Sequence, residues 1–407
     1  MNFILYDGKE WNHLFPITLT RSISEIRMGM FTMKERWEIF LKEKIKSIFT
    51  RSFLMKKNDF FLDKKKNEFR DIYLINSSFI PNEELIYMIS LLENNQAILF
   101  KNQIVVEKKK YYSYEEYNKN ISFYSFNDNI KKEFKKTYSV KQVIQIQHLW
   151  NLFMQNEFIL KSDFLLKTKN KTSYSCIGTN YIIQKNNLFL EENIETNNVV
   201  FDAKSGPIYI EKGVKIMEGS VMKGPIFIGN NTILNVGSRI YGGTTIGSFC
   251  KIGGEIRKSI IFSYSNKAHD GFLGNSVLGE WCNLGASTNV SNLRNDYQYV
   301  TIWNYQKKLF YPINVRFFGM IMGDHSKSSI NTQFNTATIV GVSSNIFGYG
   351  FPPRFIPSFS LGGRQNMEKI SMKKVFETSK IVMKRRNKIF SCMEKKVLEY
   401  LYHISDI

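Results

Sequence analysis

The sequence predicts an α/β domain followed by a parallel β-helix and a helical C-terminal tail. Three observations carry this. From Ile210 to Ile346, large apolar residues recur every six positions. Ahead of that stretch, short apolar strands alternate with helical patterns, the mark of an α/β unit. Beyond it, Gly/Pro-rich segments lead into a run with apolar residues at helical spacing.

The six-residue period is the strongest of the three. It appears as Ile210, Ile216, Met222, Ile228, Leu234, Ile240, Ile246 and Ile252. A second run is Phe272, Leu278, Leu284 and Val290, and a third is Met322, Ser328, Phe334, Val340 and Ile346. Four positions after each large residue stands a small or β-branched one, such as Val214, Ser220, Thr232, Ser238, Thr244 and Cys250. Such a period fits neither a helix nor a plain strand. It fits hexads that each supply one short strand and one turn, with three hexads to a triangular coil. Coils then stack at about the 4.8 Å strand spacing, large residues pointing into the prism. Gly229 and Gly247 each follow a large residue, where the turn crowds the chain. A β-sandwich with chance spacing does not account for eight in-phase positions and a second in-phase column.

The chain has 407 residues, room for two domains and a tail. Nothing resembles a membrane span or a signal peptide, since Met1–Tyr6 is too short for either and reads as a first strand. The four cysteines, Cys176, Cys250, Cys282 and Cys392, show no CxxC spacing, and two occupy small positions of the repeat. That pattern points to reduced thiols and a cytoplasmic protein rather than a disulfide framework or a zinc site. The net charge of +20 raises nucleic-acid binding as one reading. The lysines are scattered in short clusters, however (Lys42–Lys46, Lys64–Lys66, Lys108–Lys110), which favours a composition bias. A modest positive field also attracts phosphorylated sugars and nucleotides.

Taken in order, Phe3–Tyr6 reads as a strand ending at Asp7-Gly8, and Ser24–Leu41 as a helix. Ile72–Ile75 and Ala97–Phe100 are candidate parallel strands with a helix, Glu83–Glu93, between them. Lys108–Lys136 reads as a polar surface insertion and Val140–Lys161 as a helix. Asn292–Phe318 interrupts the hexads with eight aromatic side chains and is expected to pack on a neighbour. Residues Asn366–Asp406 read as helical.

Two stretches resemble one family. Ser265 to Ala286 contains Lys267-Ala268-His269, Leu273-Gly274 and Asn283-Leu284-Gly285-Ala286. It is similar to the acetyltransferase signature of the bifunctional N-acetylglucosamine-1-phosphate uridylyltransferase / glucosamine-1-phosphate N-acetyltransferase. Leu14 to Gly29 resembles the start of a divergent sugar nucleotidyltransferase domain fused to such β-helices. The resemblance implies a nucleotidyltransferase-like (Rossmann-like) domain over 1–189, a left-handed β-helix acyltransferase domain over 190–363 and a helical tail over 364–407. It also implies a homotrimer acting on sugar 1-phosphate, UTP and acetyl-CoA, with Mg²⁺ for nucleotidyl transfer.

Residue chemistry and resemblance together give the candidate site. His269, at a slip in the hexad phase, is the candidate general base, because imidazole titrates near neutrality; the other reading is a turn histidine. Arg257, Lys258 and Lys267 cluster around the slip as candidate sugar-phosphate ligands, with Asn283 for a hydroxyl or the amine. Backbone amides near Gly285 and Ala286 are candidate oxyanion donors. His325 reads equally as a turn residue or as a neighbour of the acyl donor. The family has tyrosines where Phe272 and Leu293 stand. Its Gly-rich phosphate loop is replaced by Asp7-Gly8-Lys9-Glu10-Trp11, so Arg21, Arg27 and Lys34 are the nucleotide-binding candidates. Asp7 and Asp163 are candidate metal ligands, with the metal site itself unassigned.

The resemblance implies synthesis of UDP-N-acetylglucosamine by acetyl and uridylyl transfer. The alternatives are a nucleotidyltransferase for another sugar 1-phosphate with a purely structural β-helix, and a non-catalytic basic scaffold.

Overall fold

The computed structural model describes residues 1–55, 70–111, 134–175 and 178–405. These form two compact units. One comprises Met1–Leu14, Arg21–Ile26 and Phe31–His148, the other Phe15–Thr20, Arg27–Met30 and Leu149–Ile407.

The first unit is an α/β sheet. Its strands are β1 (Asn2–Tyr6), β2 (Ser47–Phe49), β3 (Arg70–Asn76), β4 (Gln96–Phe100), β5 (Gln103–Tyr111) and β6 (Lys136–Ser139), in spatial order β2-β1-β3-β5-β4-β6. β1 pairs parallel with both β2 and β3, whereas β5 runs antiparallel to β3 and β4. Helices α1 (Glu10–His13), α2 (Met33–Leu41) and α3 (Glu83–Ser90) belong to the same unit. Phe3, Leu5, Trp37, Ile75, Leu85, Ile89 and Val106 share its core.

Three sequence expectations are corrected here. The helix expected over Ser24–Leu41 begins only at Met33. Gly29 takes a positive φ of 64°, and the Thr32 side chain accepts from the Glu35 amide while Glu35 reaches back, a capping box that starts α2. The strands holding Ile72–Ile75 and Ala97–Phe100 do run in the same direction as expected, each antiparallel to β5, which lies between them. β5 also claims Lys108–Lys110 from the expected insertion, of which residues 112–133 lie outside the described residues. The helix expected over Val140–Lys161 is α4, Leu149–Thr168, in the second unit. The residues before it are extended, and Ile144–Gln145 pairs with Phe79–Ile80.

The second unit is dominated by a three-faced parallel β-helix, in keeping with the expected left-handed hexapeptide-repeat class. The first face runs from Tyr181–Ile183 to Gln333–Phe334, the second from Leu188–Leu190 to Phe355–Ile356, and the third from Glu195–Thr196 to Ser360–Gly362. Ile210, Ile228 and Ile246 stand in register, so a regular coil is three hexads. The predicted inward column from Ile210 to Ile252 is buried in one continuous core. Burying one such side chain contributes about 1.5–3 kcal/mol relative to exposure. The small positions do more than avoid a clash. Thr232 Oγ1 donates to the Gly247 carbonyl at 2.8 Å and Ser265 Oγ to the Gly279 carbonyl at 2.7 Å, linking each coil to the next. A Cβ on Gly229 would lie 2.6 Å from the Ser248 amide nitrogen, which is why the corner takes glycine. Cys250 and Cys282 are buried free thiols in these positions.

One phase expectation fails. Leu273, not Phe272, faces inward, since Ile256 pairs with Leu273. Phe272 lies outside, its amide held by Asn289 Oδ1 at 2.9 Å.

The aromatic interruption forms a hairpin, Thr301–Asn304 against Leu309–Pro312. It folds back on its own unit, with Trp303 stacked on Phe355 at 4.2 Å. After the last coil, Met367–Lys369 adds an antiparallel strand to Ser360–Gly362. Helices α5 (Met372–Lys384) and α6 (Cys392–Ile404) follow. α5 covers part of the third face, where Val375 and Ser379 help line a cavity of about 150 Å³ with Lys327 and Asn345. No helix among the described residues is long and apolar enough to cross a membrane.

Candidate functional site

In the α/β unit, polar residues gather at the carboxyl ends of the parallel strands. The chain leaves β1 for β2 on one side, and β3 then lies on the other, so β1 and β3 flank a topological switch point. Asp7 and Gly8 follow β1, Thr50 and Arg51 follow β2, and Asn76 to Ser78 close β3. Asp7 is fully buried. Its Oδ1 accepts from Ser22 Oγ and from the Ile23 amide, each at 3.0 Å. Burial raises its pKa to about 7, against the opposing pull of its hydrogen bonds and of Arg51. The Arg51 guanidinium lies 4.7 Å from the centre of the Trp11 ring, and Trp11 Nε1 donates to the Arg21 carbonyl at 3.0 Å. The loop that replaces the phosphate loop is tight. A Cβ on Gly8 would stand 2.6 Å from Glu10 Oε2 and 3.1 Å from Asn76 Nδ2.

The three nucleotide candidates are divided between the two units. Arg21 is buried in the α/β unit, and Lys34 sits half-exposed on α2, 3.9 Å from Glu38. Arg27 belongs to the β-helix unit, where it donates to the Met30 carbonyl at 2.6 Å and lies against Phe227. The metal candidates are likewise divided: Asp163, in the second unit, accepts from the Met30 amide at 2.8 Å. Among the described residues no group of three His, Cys, Asp or Glu side chains is placed to hold a metal. With Asp7 facing the Arg51 guanidinium and no group of three such donors among the described residues, this donor set does not form a preformed Mg²⁺ site.

In the β-helix unit, the coil shortens beside His269. Ile252 pairs with Lys267, where the regular period would have placed Asp270. On the first face Ile256 pairs with Leu273, where it would have placed Gly274. The corner between the third and first faces is therefore just Gly253-Gly254 in one coil and Ala268 to Gly271 in the next. His269 stands exposed on that longer corner. Gly285 to Thr288 form the same corner one coil on, tied by the Ser287 amide donating to the Asp270 carbonyl at 3.1 Å.

His269 and Ala286 thus occupy adjacent rungs. The Gly285 amide donates to the Ser328 carbonyl at 3.1 Å, so it is withdrawn from the oxyanion role. Arg257 is exposed on the first face. Lys258 follows at the opposite corner, in an αL conformation (φ 46°), and faces Glu157 of α4 at 3.6 Å. It does not share the His269 corner. Asn283 is on the third face beside Asn266, which accepts from Arg386 at 3.0 Å. Lys267 is a clear correction. It occupies an inward position, 2% exposed, and its ammonium donates to two backbone carbonyls rather than facing a ligand. Burial lowers its pKa to about 8, with Asp270 and Arg239 the charged groups around it.

The sequence reading missed Arg239. It stands on the first face beside Glu255, which in turn pairs with Phe272. One regular coil would have set Arg239 beside Arg257, whereas the shortened coil sets it beside Glu255. His325 lies at another corner, between the second and third faces. There Phe249, Tyr264, Trp281 and His325 form a stack along successive coils, each with φ near 60°.

Residues 3–172 match the family model described as Sugar nucleotidyl transferase. The chain is 25% identical over 276 residues to the Bifunctional protein GlmU of Methanococcus aeolicus, covering 65% of this chain and 66% of that protein. It is 36% identical over 87 residues to the Bifunctional protein GlmU of Methanocaldococcus jannaschii, 21% of each chain. With that of Rippkaea orientalis it shares 29% over 149 residues, 31% of this chain and 33% of that one. The matched stretches thus span about two thirds of the first relative's length and less of the others. Among solved structures, UDP-N-acetylglucosamine acyltransferase from Campylobacter jejuni matches 55% of this chain and 97% of its own at 11% identity, with a TM-score of 0.24. Another UDP-N-acetylglucosamine acyltransferase matches 57% and 88% at 13% identity and 0.23. Those scores are too low to establish a shared fold. The sequence relatives are bifunctional, and the N-terminal match is to a transferase family.

Proposed function

We propose that the chain makes a UDP-activated N-acetylamino sugar in two steps. The β-helix unit moves the acetyl group of acetyl-CoA to glucosamine 1-phosphate, and the α/β unit then joins the N-acetylated sugar phosphate to the uridylyl group of UTP. The observation that carries the first step is His269, exposed on the corner that overlies the short Gly253-Gly254 turn, next to the Ala286 rung. In the proposed reaction the imidazole takes a proton from the sugar ammonium. The amine nitrogen attacks the thioester carbonyl carbon, the carbon–sulfur bond breaks, and the proton that the new amide nitrogen sheds passes to the leaving thiolate to release the thiol of coenzyme A. The Ala286 amide faces the developing oxyanion. Arg257 and Arg239, on the first face, hold the phosphate. Asn283 stays a candidate for the sugar hydroxyl.

The second step rests on the crevice at the ends of β1 and β3 and on the family match over residues 3–172. With no preformed metal site among the described residues, a divalent cation enters this reading bound to the nucleotide phosphates. Residues 1–189, 190–363 and 364–407 are the proposed nucleotidyl, acetyl and capping segments, and the proposed assembly is a homotrimer. A second reading, in which the β-helix only assembles the oligomer, draws on Asn283 lying beside the Asn266–Arg386 contact. Following acetylation and pyrophosphate release separately with glucosamine 1-phosphate tests both. Uridylyl transfer without acetylation would select the second, and neither activity would defeat the proposal.

A further inference from the structure

We infer that Lys267 positions the His269 corner from inside the prism, as a staple that fixes the backbone of the base. The inference rests on the proposed role of His269. In the coil register Lys267 takes the place that Ile252 fills one coil earlier, in a column that runs Ile216, Leu234 and Ile252 before it and Leu284 after it. An ammonium there is costly unless its donors are satisfied. Nζ donates to the Gly253 carbonyl at 3.0 Å and to the carbonyl of His269 itself at 2.9 Å.

The need for it follows from the mismatch of the two corners. Five carbonyls, of residues 267 to 271, overhang the short Gly253-Gly254 turn. Backbone amides serve three of them: Gly253 donates to Lys267, Glu255 to Gly271, and Ser287 to Asp270. The other two take side-chain donors, Asn235 Nδ2 on the Ala268 carbonyl at 2.6 Å and Lys267 Nζ on that of His269. The fit below is close, for a Cβ on Gly254 would stand 2.8 Å from the Gly271 oxygen and 2.9 Å from that of His269. With both side-chain bonds in place, every carbonyl of the corner is held, and the imidazole hangs from a fixed backbone.

The test is Lys267→Met in the full chain, which restores an apolar interior residue of similar length. Acetyl transfer from acetyl-CoA to glucosamine 1-phosphate should lose about 10–100-fold in kcat, the scale of a small misplacement of a reacting group, with KM for the sugar phosphate little changed. In a His269→Ala background the same substitution should cost nothing further. Retained kcat in a folded Lys267→Met protein overturns the inference, as does a raised KM at constant kcat, which would mark a phosphate ligand. If His269→Ala alone keeps full acetyl transfer, the function reading fails first and separately. Should Lys267→Met not fold, Asn235→Ala releases the same corner from its outer side. A fall in kcat at constant KM then supports the staple, and unchanged kcat overturns it.

Discussion

Asp7→Asn should make the protein more stable at pH 8 than at pH 5, relative to the wild type. Asp7 is fully buried at the end of β1, and burial raises its pKa from the ordinary 3.8 to about 7. The folded chain therefore holds the proton more tightly than the unfolded chain. Stability from this group is complete below about pH 4, falls as the pH rises toward 7, and is flat beyond. Between pH 5 and pH 8 the carboxyl crosses about two pH units of that window, which corresponds to about 3 kcal/mol at 1.36 kcal/mol per unit. Asparagine keeps an Oδ1 for the Ser22 hydroxyl and the Ile23 amide, and it does not ionise. The variant should thus gain about 3 kcal/mol on the wild type between the two pH values. Urea unfolding followed by tryptophan fluorescence reads this directly, because Trp11 stacks on the neighbouring Arg51. An equal stability difference at pH 5 and pH 8 would refute the reasoning, and so would a variant that loses ground as the pH rises.

Two further outcomes are expected. Arg239→Ala and Arg257→Ala should each raise KM for glucosamine 1-phosphate by about tenfold or more, the scale of one lost charge-assisted hydrogen bond, and leave kcat nearly unchanged; steady-state kinetics with unaltered KM in both would move the phosphate elsewhere. Ending the chain after Gly363 removes the strand Met367–Lys369 and uncovers the edge of Ser360–Gly362, so size-exclusion chromatography should show aggregates or altered oligomers. A truncated protein that stays a well-folded trimer would count against that role of the tail.

The β-helix is legible because its rule is local and repeated. Each hexad names its own inward residue, and Ile210 to Ile252 obey it without exception. The rule breaks where the coil shortens. Phe272 imitates the column residue, and a lysine does not read as core, so the true inward pair Lys267 and Leu273 stays hidden. His269 still stands out, since a slip in phase marks a corner whatever its register. Lys258 and Asn283 escape for another reason. Nearness in sequence to the slip says nothing of which corner or face a residue occupies, and Glu157 comes from α4 and Arg386 from the turn after α5. In the α/β unit, the start of α2 is written in Thr32, Glu35 and Gly29, while the gathering of Asp7, Ser22 and Arg51 depends on how three strand ends meet. Apolar spacing alone sets neither.

The central claim is that His269 is the base of an acetyltransferase, and acetylation by purified His269→Ala tests it most directly. With acetyl-CoA and glucosamine 1-phosphate saturating, the rate should fall by about 10² to 10⁴, the range for losing an acid–base group. The rising limb of the pH–rate profile that belongs to the general base should vanish with it. Uridylyl transfer and the melting curve should stay as in the wild type. A folded His269→Ala protein that acetylates at the wild-type rate would contradict the account.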